Sequence, residues 1–350
     1  MKKVGGDVSE KLFLLPADFM KERWTGRRTK ADEAHELSGI NDIAYTPDFE
    51  EYFGKAVSEC ENICLDIDDT REERDYTEAH RFARRMKEEY PAKKIVNIRP
   101  ALAEIRTIKA DCEIDAMREA VRITGEGIKA MMHGVRDGMK EYEIKGLYDS
   151  ALLANGCLEP AFPSIISAGQ NNFCIHYYSY SGTAHTGDMV LCDVGACYDF
   201  IGCDISRGFP LNGKFSDRQR KLYEAAYATS QHLFDIIKPG YLMEEVDREA
   251  QRFCYTYLHD YGLVDKPEHI GKLMWHGGSH HVGFDTHDIV KRPEIIAPGM
   301  VFCVDIGIYC EEWGIGFRLE DNCHVTENGC ENLGIHVPRT IEEIENEMRR

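Results

Sequence analysis

Long apolar runs are missing from these 350 residues, and none approaches the roughly 18 to 20 needed to cross a bilayer. No membrane partner is therefore expected. Basic charge is scarce too: 42 Lys and Arg stand against 61 Asp and Glu, for a formal net charge of −19. Phosphate binding needs a basic face, so nucleic acid is excluded as an expected partner. No CxxC pair occurs, and thirteen cysteines is an odd number, which argues against both a zinc ribbon and a disulfide frame. Cys192, Cys203, Cys303 and Cys323 stand inside apolar runs and read as small buried hydrophobes in a reducing compartment. The start, MKKVGGDVSEKLFLLP, puts acids before a short apolar stretch, which is not the pattern of a secretory signal. Cytoplasmic residence is the expectation.

What is present is the composition of an ordinary globular protein, 43% hydrophobic, with length for roughly two domains. Residues 11 to 104 alternate short strands (KLFLLP, NICLDI, KIVNI) with helical stretches (ADEAHEL, PDFEEYFGKAV, YTEAHRFARRMKEEY), which predicts a small α/β unit. After Pro100 a charged segment leads into a long amphipathic helix. Asp111 is its expected cap, and Ile114, Met117, Val121, Ile128 and Met131 line one face. The domain boundary is set between 104 and 105, giving domains 1–104 and 105–350.

The second region contains an internal repeat. VRDGMKEYEI at 135–144 is echoed by IKPGYLMEEV at 237–246, and GDMVLCDVGA at 187–196 by PGMVFCVDIGIY at 298–309. Each half reads helix, Gly turn, helix, then a strand that delivers an aspartate. The expected fold class is α+β, a duplicated half closed face to face around one site.

Each half also supplies two carboxylates across a predicted hairpin: Asp193 with Asp204 on the returning strand, and Asp305 with Glu320. Four acids converging in a core would repel strongly unless cations offset them. Histidines crowd HIGKLMWHGGSHHVGFDTHD, and His176 follows an apolar strand in NNFCIHYY. Carboxylates with one imidazole suit a pair of divalent ions, Mn²⁺ first, with Co²⁺, Zn²⁺ or Fe²⁺ as alternatives. Two such ions can bridge a hydroxide and hold it as a nucleophile, which is hydrolytic chemistry.

At these residues the chain resembles a known family. MVLCDVGACYDFIGCDISRGFPLNGKF, HGGSHHVGFDTHD, PGMVFCVDIGIY and GIGFRLEDNCHVTENG are similar to the motifs of the pita-bread metallopeptidases, most of all aminopeptidase P and the Xaa-Pro dipeptidases. The stretch ERWTGRRTKADEAHELSGINDIAYTPDFEEYF resembles the later part of the aminopeptidase P N-terminal domain, whose earlier part is expected to be missing. The resemblance implies a pita-bread domain with a pseudo-twofold repeat behind a truncated α/β domain. It also implies a metallo-aminopeptidase or dipeptidase that cleaves the bond between an N-terminal residue and proline. Carried over residue by residue, it makes Asp193, Asp204, His280, Asp305 and Glu320 the ligands of two metal ions. His176 and His287 would bind the scissile carbonyl, His276 would line the pocket, and Arg318 with Tyr309 would support the ligands. Small peptides with proline second are the implied partners, and association of family members through the N-terminal domain leaves a homodimer open.

Two departures stand out. Where the family has glutamate then proline, this chain has Asp305 then Ile306, one methylene shorter in a catalytic group. The family also has an Asn a few residues after the His-Tyr pair, where this chain continues Tyr178, Ser179, Tyr180. Asp305 motivates the alternative of a peptide-binding homologue with weakened or lost activity. A metal-free, creatinase-like hydrolase ranks last, because four carboxylates and His280 are all in place.

Overall fold

The computed structural model describes residues 1–291 and 295–349. The chain divides into two compact units, Met1–Ala101 and Leu102–Arg350. The segment after Pro100 is itself helical, Arg99–Thr107, and the boundary set at 104 falls inside that helix. Proline in a first turn is compatible with helix, since its missing N–H would find no partner there.

In the first unit, Leu12–Leu14 pairs in parallel with Ile43–Tyr45, and Asn62–Leu65 with Lys94–Asn97. Helices Ala31–Ser38, Phe49–Glu59 and Glu78–Glu89 occupy the stretches that helical spacing predicts. Val57, Ile63 and Met86 form a small core against Phe53, Phe82 and Tyr90.

The second unit opens with α1 (Asp111–Gly134) and α2 (Glu141–Ala154). Asp111 is the first helical residue rather than the cap. The role expected of it falls to Glu113, whose carboxylate accepts the Ala110 N–H at 2.7 Å. Met117, Ile128 and Met131 of α1 are wholly buried, each contributing on the order of 2 kcal/mol by leaving water.

Strands β1 (Ile165–Ala168), β2 (Met189–Val194) and β3 (Ile205–Pro210) follow, then α3 (Asp217–Ile236) and α4 (Met243–Asp260). The long strands β4 (Val301–Cys310) and β5 (Ile315–Val325) come next, and the short β6 (Cys330–Asn332) pairs with β5. The sheet runs β4-β5-β3-β2-β1, with every pairing antiparallel. The two hairpins β2–β3 and β4–β5 therefore join edge to edge, through Ser206 opposite Glu320, instead of closing face to face. Pairing backbone across the join leaves no open strand edge at the centre of the domain.

The repeat is visible in the backbone. Gly138 and Gly240 both adopt left-handed φ (78° and 88°), and their N–H groups donate to Ala184 O and Ile296 O, each at 2.9 Å. Isolated bridges Lys140–Thr183 and Leu242–Ile295 follow each turn at the same offset. Glycine suits both positions because an L side chain is strained there. Along β4, Val304, Ile306 and Ile308 point one way into the core, while Asp305, Tyr309 and Cys303, the last also packed in that core, alternate onto the opposite face by the period of two.

Candidate metal centre

Register brings the acids together. Asp305 lies directly opposite Glu320 on β4 and β5, Glu320 opposite Ser206, and Ser206 opposite Asp193. The pairings run through four adjacent strands and put all these side chains on one face. Asp204 is not on the returning strand as expected. It precedes β3, after a tip formed by Cys197–Tyr198 against Ile201–Gly202 with Asp199 and Phe200 at positive φ. A Cβ on Gly195 would lie 1.9 Å from Cys203 O, so only glycine lets the returning chain approach this closely. Asn322 of the other half holds Asp204 in place: Asp204 N donates to Asn322 Oδ1 at 3.1 Å, and Asn322 Nδ2 donates to Asp204 O at 2.9 Å.

His280 Nε2 stands 3.7 Å from both Asp204 Oδ2 and Glu320 Oε1. The second Glu320 oxygen accepts the Ser206 hydroxyl at 2.8 Å. On the other side, Arg318 Nη2 donates to Asp193 Oδ2 at 2.7 Å and Arg318 Nη1 to Tyr309 OH at 2.8 Å. His276 reaches Tyr309 OH at 3.0 Å and lies 3.5 Å from Asp305 Oδ2. His287 packs edge-on against His280, ring centroids 4.4 Å apart. His176 follows a 3₁₀ turn (Gly169–Phe173) rather than a strand. Arg318 Nη2 also donates to the neighbouring Ile175 O at 3.2 Å, which sets exposed His176 at the rim.

Electrostatics mark the cluster as strained without a cation. Burial raises the Asp305 carboxyl to about 7, against the opposing pull of Arg318. Burial and then the Glu320 carboxylate raise Asp204 well above its ordinary range, and burial and then Asp305 do the same to Glu320. Burial, with His287 beside it, lowers His280, and burial with Arg318 lowers His276. Both imidazoles are thereby kept neutral, which for His280 is the form that a metal requires.

Each of the four carboxylates leaves one buried oxygen without a hydrogen-bond partner: Asp193 Oδ1, Asp204 Oδ1, Asp305 Oδ1 and Glu320 Oε1. One such orphan costs about 1–3 kcal/mol, so four beside each other call for divalent cations. The donor set fits them. Asp204, His280 and Glu320 form a further grouping with Cys303, all ligand atoms lying within 4.8 Å of one another. Composition reads Cys303 as a hydrophobe. The overlooked signal is its position two residues before Asp305, on the same face. Asp247 on α4 is also missed: its Oδ1 accepts from Gly278 N, Ser279 N and Ser279 Oγ (3.2, 3.2 and 2.8 Å), anchoring the loop between His276 and His280. No motif flags it. His281, next to His280, packs against Phe302 and is 6% exposed.

Known proteins share this architecture. The model for metallopeptidase family M24 matches residues 115–327, and that for the aminopeptidase P N-terminal domain matches residues 2–64. The Xaa-Pro aminopeptidase of Haemophilus influenzae is 29% identical over 96% of this chain and 81% of its own length. The Xaa-Pro dipeptidase of Homo sapiens is 30% identical over 71% of this chain and 61% of its own. A solved structure from Bacillus anthracis matches with TM-score 0.95 at 34% identity, over 99% of this chain and 83% of that one. Zn-substituted E. coli aminopeptidase P in complex with product matches with TM-score 0.86 at 28% identity, over 96% and 82%. With the family model covering more than half of its length, the chain belongs to metallopeptidase family M24, the pita-bread peptidases, and is a hydrolase.

Proposed function

We propose that this chain is a dinuclear exopeptidase that hydrolyses the bond between an N-terminal residue and proline in small peptides, with catalysis in residues 105–350. The observation that carries the reading is the set of four convergent carboxylates, each with an unpaired buried oxygen, beside neutral His280. Asp193, Asp204, His280, Asp305 and Glu320 would hold two divalent ions, Mn²⁺ the first candidate. When bound, such ions polarise a carbonyl and lower the pKa of water.

The remaining work falls to this chain's side chains. Arg318 fixes Asp193 and, through Tyr309, one wall of the site where His276 also bonds. Asp305 Oδ1, buried and unpaired, is the atom to take a proton from water and return it to the proline nitrogen. His287, packed on His280, and His176 at the rim are the donors for the carbonyl oxygen as it gains charge. Thirteen free thiols suit action in a reducing cytosol.

The direct test measures release of the first residue from short Xaa-Pro peptides with added Mn²⁺, beside Xaa-Ala controls. Turnover confined to the proline peptides is expected, and no turnover of either overturns the reading. Asp305 favours a second reading, a homologue of weakened activity, because a catalytic group displaced by about an ångström can cost on the order of a hundredfold in rate. Under it, Asp305→Glu raises kcat well above that of the unaltered chain; a silent variant removes this reading.

A further inference from the structure

Among the cysteines on the long strands, Cys303 occupies a distinct setting. Cys192 and Cys323 belong to the core face, one residue out of phase with Asp193 and Asn322 respectively. Cys303 is in phase with Asp305, directly opposite Asn322, and its side chain is wholly buried. Its Sγ lies in one group with an oxygen of Asp204, a nitrogen of His280 and an oxygen of Glu320, every pair of these atoms within 4.8 Å. Asp204 Oδ1 and Glu320 Oε1 are buried without partners, on residues 4% and 2% exposed. The amide of Asn322 donates to Cys303 Sγ at 3.3 Å, and the Cys303 N–H donates to His280 O at 2.8 Å, so strand and histidine loop are locked together here.

We propose that Cys303 is a sulfur donor to the metal centre, making the grouping Asp204–His280–Glu320–Cys303 a mixed oxygen, nitrogen and sulfur set that favours thiophilic divalent ions, Zn²⁺ or Co²⁺, over Mn²⁺. The inference rests on the metal centre proposed above and concerns the selectivity of that same centre. Two carboxylates, one imidazole and one thiol satisfy the ordinary donor count for Zn²⁺. His280 Nε2 stands 3.7 Å from an oxygen of each carboxylate, and every other pair of donor atoms in the grouping lies within 4.8 Å. Binding displaces the Sγ–H proton to solvent, and the resulting thiolate keeps the Asn322 hydrogen bond. A soft donor is what separates these ions, since carboxylates and imidazole alone accept Mn²⁺ as well.

The experiment titrates Co²⁺ into the chelator-stripped full chain and follows both the visible d–d bands and the near-ultraviolet thiolate-to-cobalt charge-transfer band. The expected result is both signals in the unaltered chain, loss of the charge-transfer band alone in Cys303→Ser, and no change in the control Cys254→Ser. Competition should show the Zn²⁺-to-Mn²⁺ affinity ratio falling by about tenfold or more in Cys303→Ser. Visible bands without a charge-transfer band, or one that persists in Cys303→Ser, overturn the sulfur donor and leave the metal centre standing. No visible bands at all overturn both. Should Cys303→Ser fail to fold, cadmium NMR of the unaltered chain decides: a resonance in the sulfur-ligated range supports the proposal, and one in the all-oxygen and nitrogen range ends it.

Discussion

Asp305 faces Glu320 directly across β4 and β5, and each keeps one buried oxygen with no partner. Two carboxylates in register within a sheet repel each other, and burial deepens the penalty. The fold therefore maintains a charge conflict at its centre that a cation removes. Neutral isosteres should relieve it in the stripped protein while spoiling the site. Glu320→Gln is expected to raise the melting temperature of the metal-free chain by a few degrees, drop the bound metal by one ion per chain, and lower kcat by at least about a hundredfold. Calorimetry with and without chelator, elemental analysis and peptide release check it. Full metal loading of the variant would contradict the assignment.

The same conflict has a definite pH signature. Asp305 titrates at about 7 in the folded chain against 3.8 in a free side chain, and Asp204 and Glu320 are raised as well. A carboxyl whose folded pKa is raised adds stability that is full below the unfolded value and is lost as pH rises through the folded one. The stripped chain should therefore lose melting temperature from about pH 4 to about pH 7, the interval between the two Asp305 values. With saturating Mn²⁺ the slope should flatten or invert, because metal binding competes with protons for the same oxygens. Parallel slopes with and without metal would contradict the metal assignment.

Gly278 offers a test of fine positioning. A Cβ there would stand 2.3 Å from Asp305 Cβ and 2.6 Å from Asp305 O, closer than real contacts allow. Gly278→Ala must push the histidine loop off β4, against the three bonds that Asp247 makes to that loop. We expect a loss of about 1–3 kcal/mol and a fall in kcat larger than the change in KM, since His280 and Asp305 shift apart. Unfolding midpoints and steady-state kinetics measure it, and an alanine variant with unaltered kcat would show that the loop tolerates the displacement.

Much of this arrangement is legible in the sequence, because strands of period two and a repeat of matched glycines leave strong local signals. The six helical and strand stretches of the first unit form where predicted, and β2, β4 and β5 carry Asp193, Asp305 and Glu320 as the hairpin pattern requires. What pattern reading misses depends on non-local geometry. Asp204 leaves the strand because Gly195 and the positive-φ pair Asp199–Phe200 consume the residues that a simple hairpin would have paired. The edge-to-edge union of the halves rests on one register, Ser206 with Glu320, between segments 114 residues apart. Cys303 stands inside a motif but reads there as a hydrophobe, and Asp247 carries no motif, so only their placement beside His280 and its loop gives them meaning.

Directly behind the acids, the sheet holds a buried ion pair. Arg207, wholly buried, donates from Nη2 to Asp321 Oδ1 at 2.7 Å, from Nη1 to Glu320 O at 2.7 Å, and from Nε to Pro338 O at 2.8 Å. Removing one partner of such a pair strands the other's charge, at a cost of about 3–5 kcal/mol, whereas replacing both with apolar groups is often near neutral. Here Asp321 Oδ2 keeps Arg339 at 3.2 Å, so the charge is only half stranded and the lower end of that range applies. Arg207→Met should cost about 3 kcal/mol in urea unfolding, and adding Asp321→Asn should recover part of it. Arg207 also fixes the backbone carbonyl of Glu320, so the single variant should weaken Mn²⁺ binding by about tenfold although no atom of Arg207 faces the site. Unchanged metal affinity in a destabilised Arg207→Met would show that β5 holds Glu320 through its ladder to β4 alone.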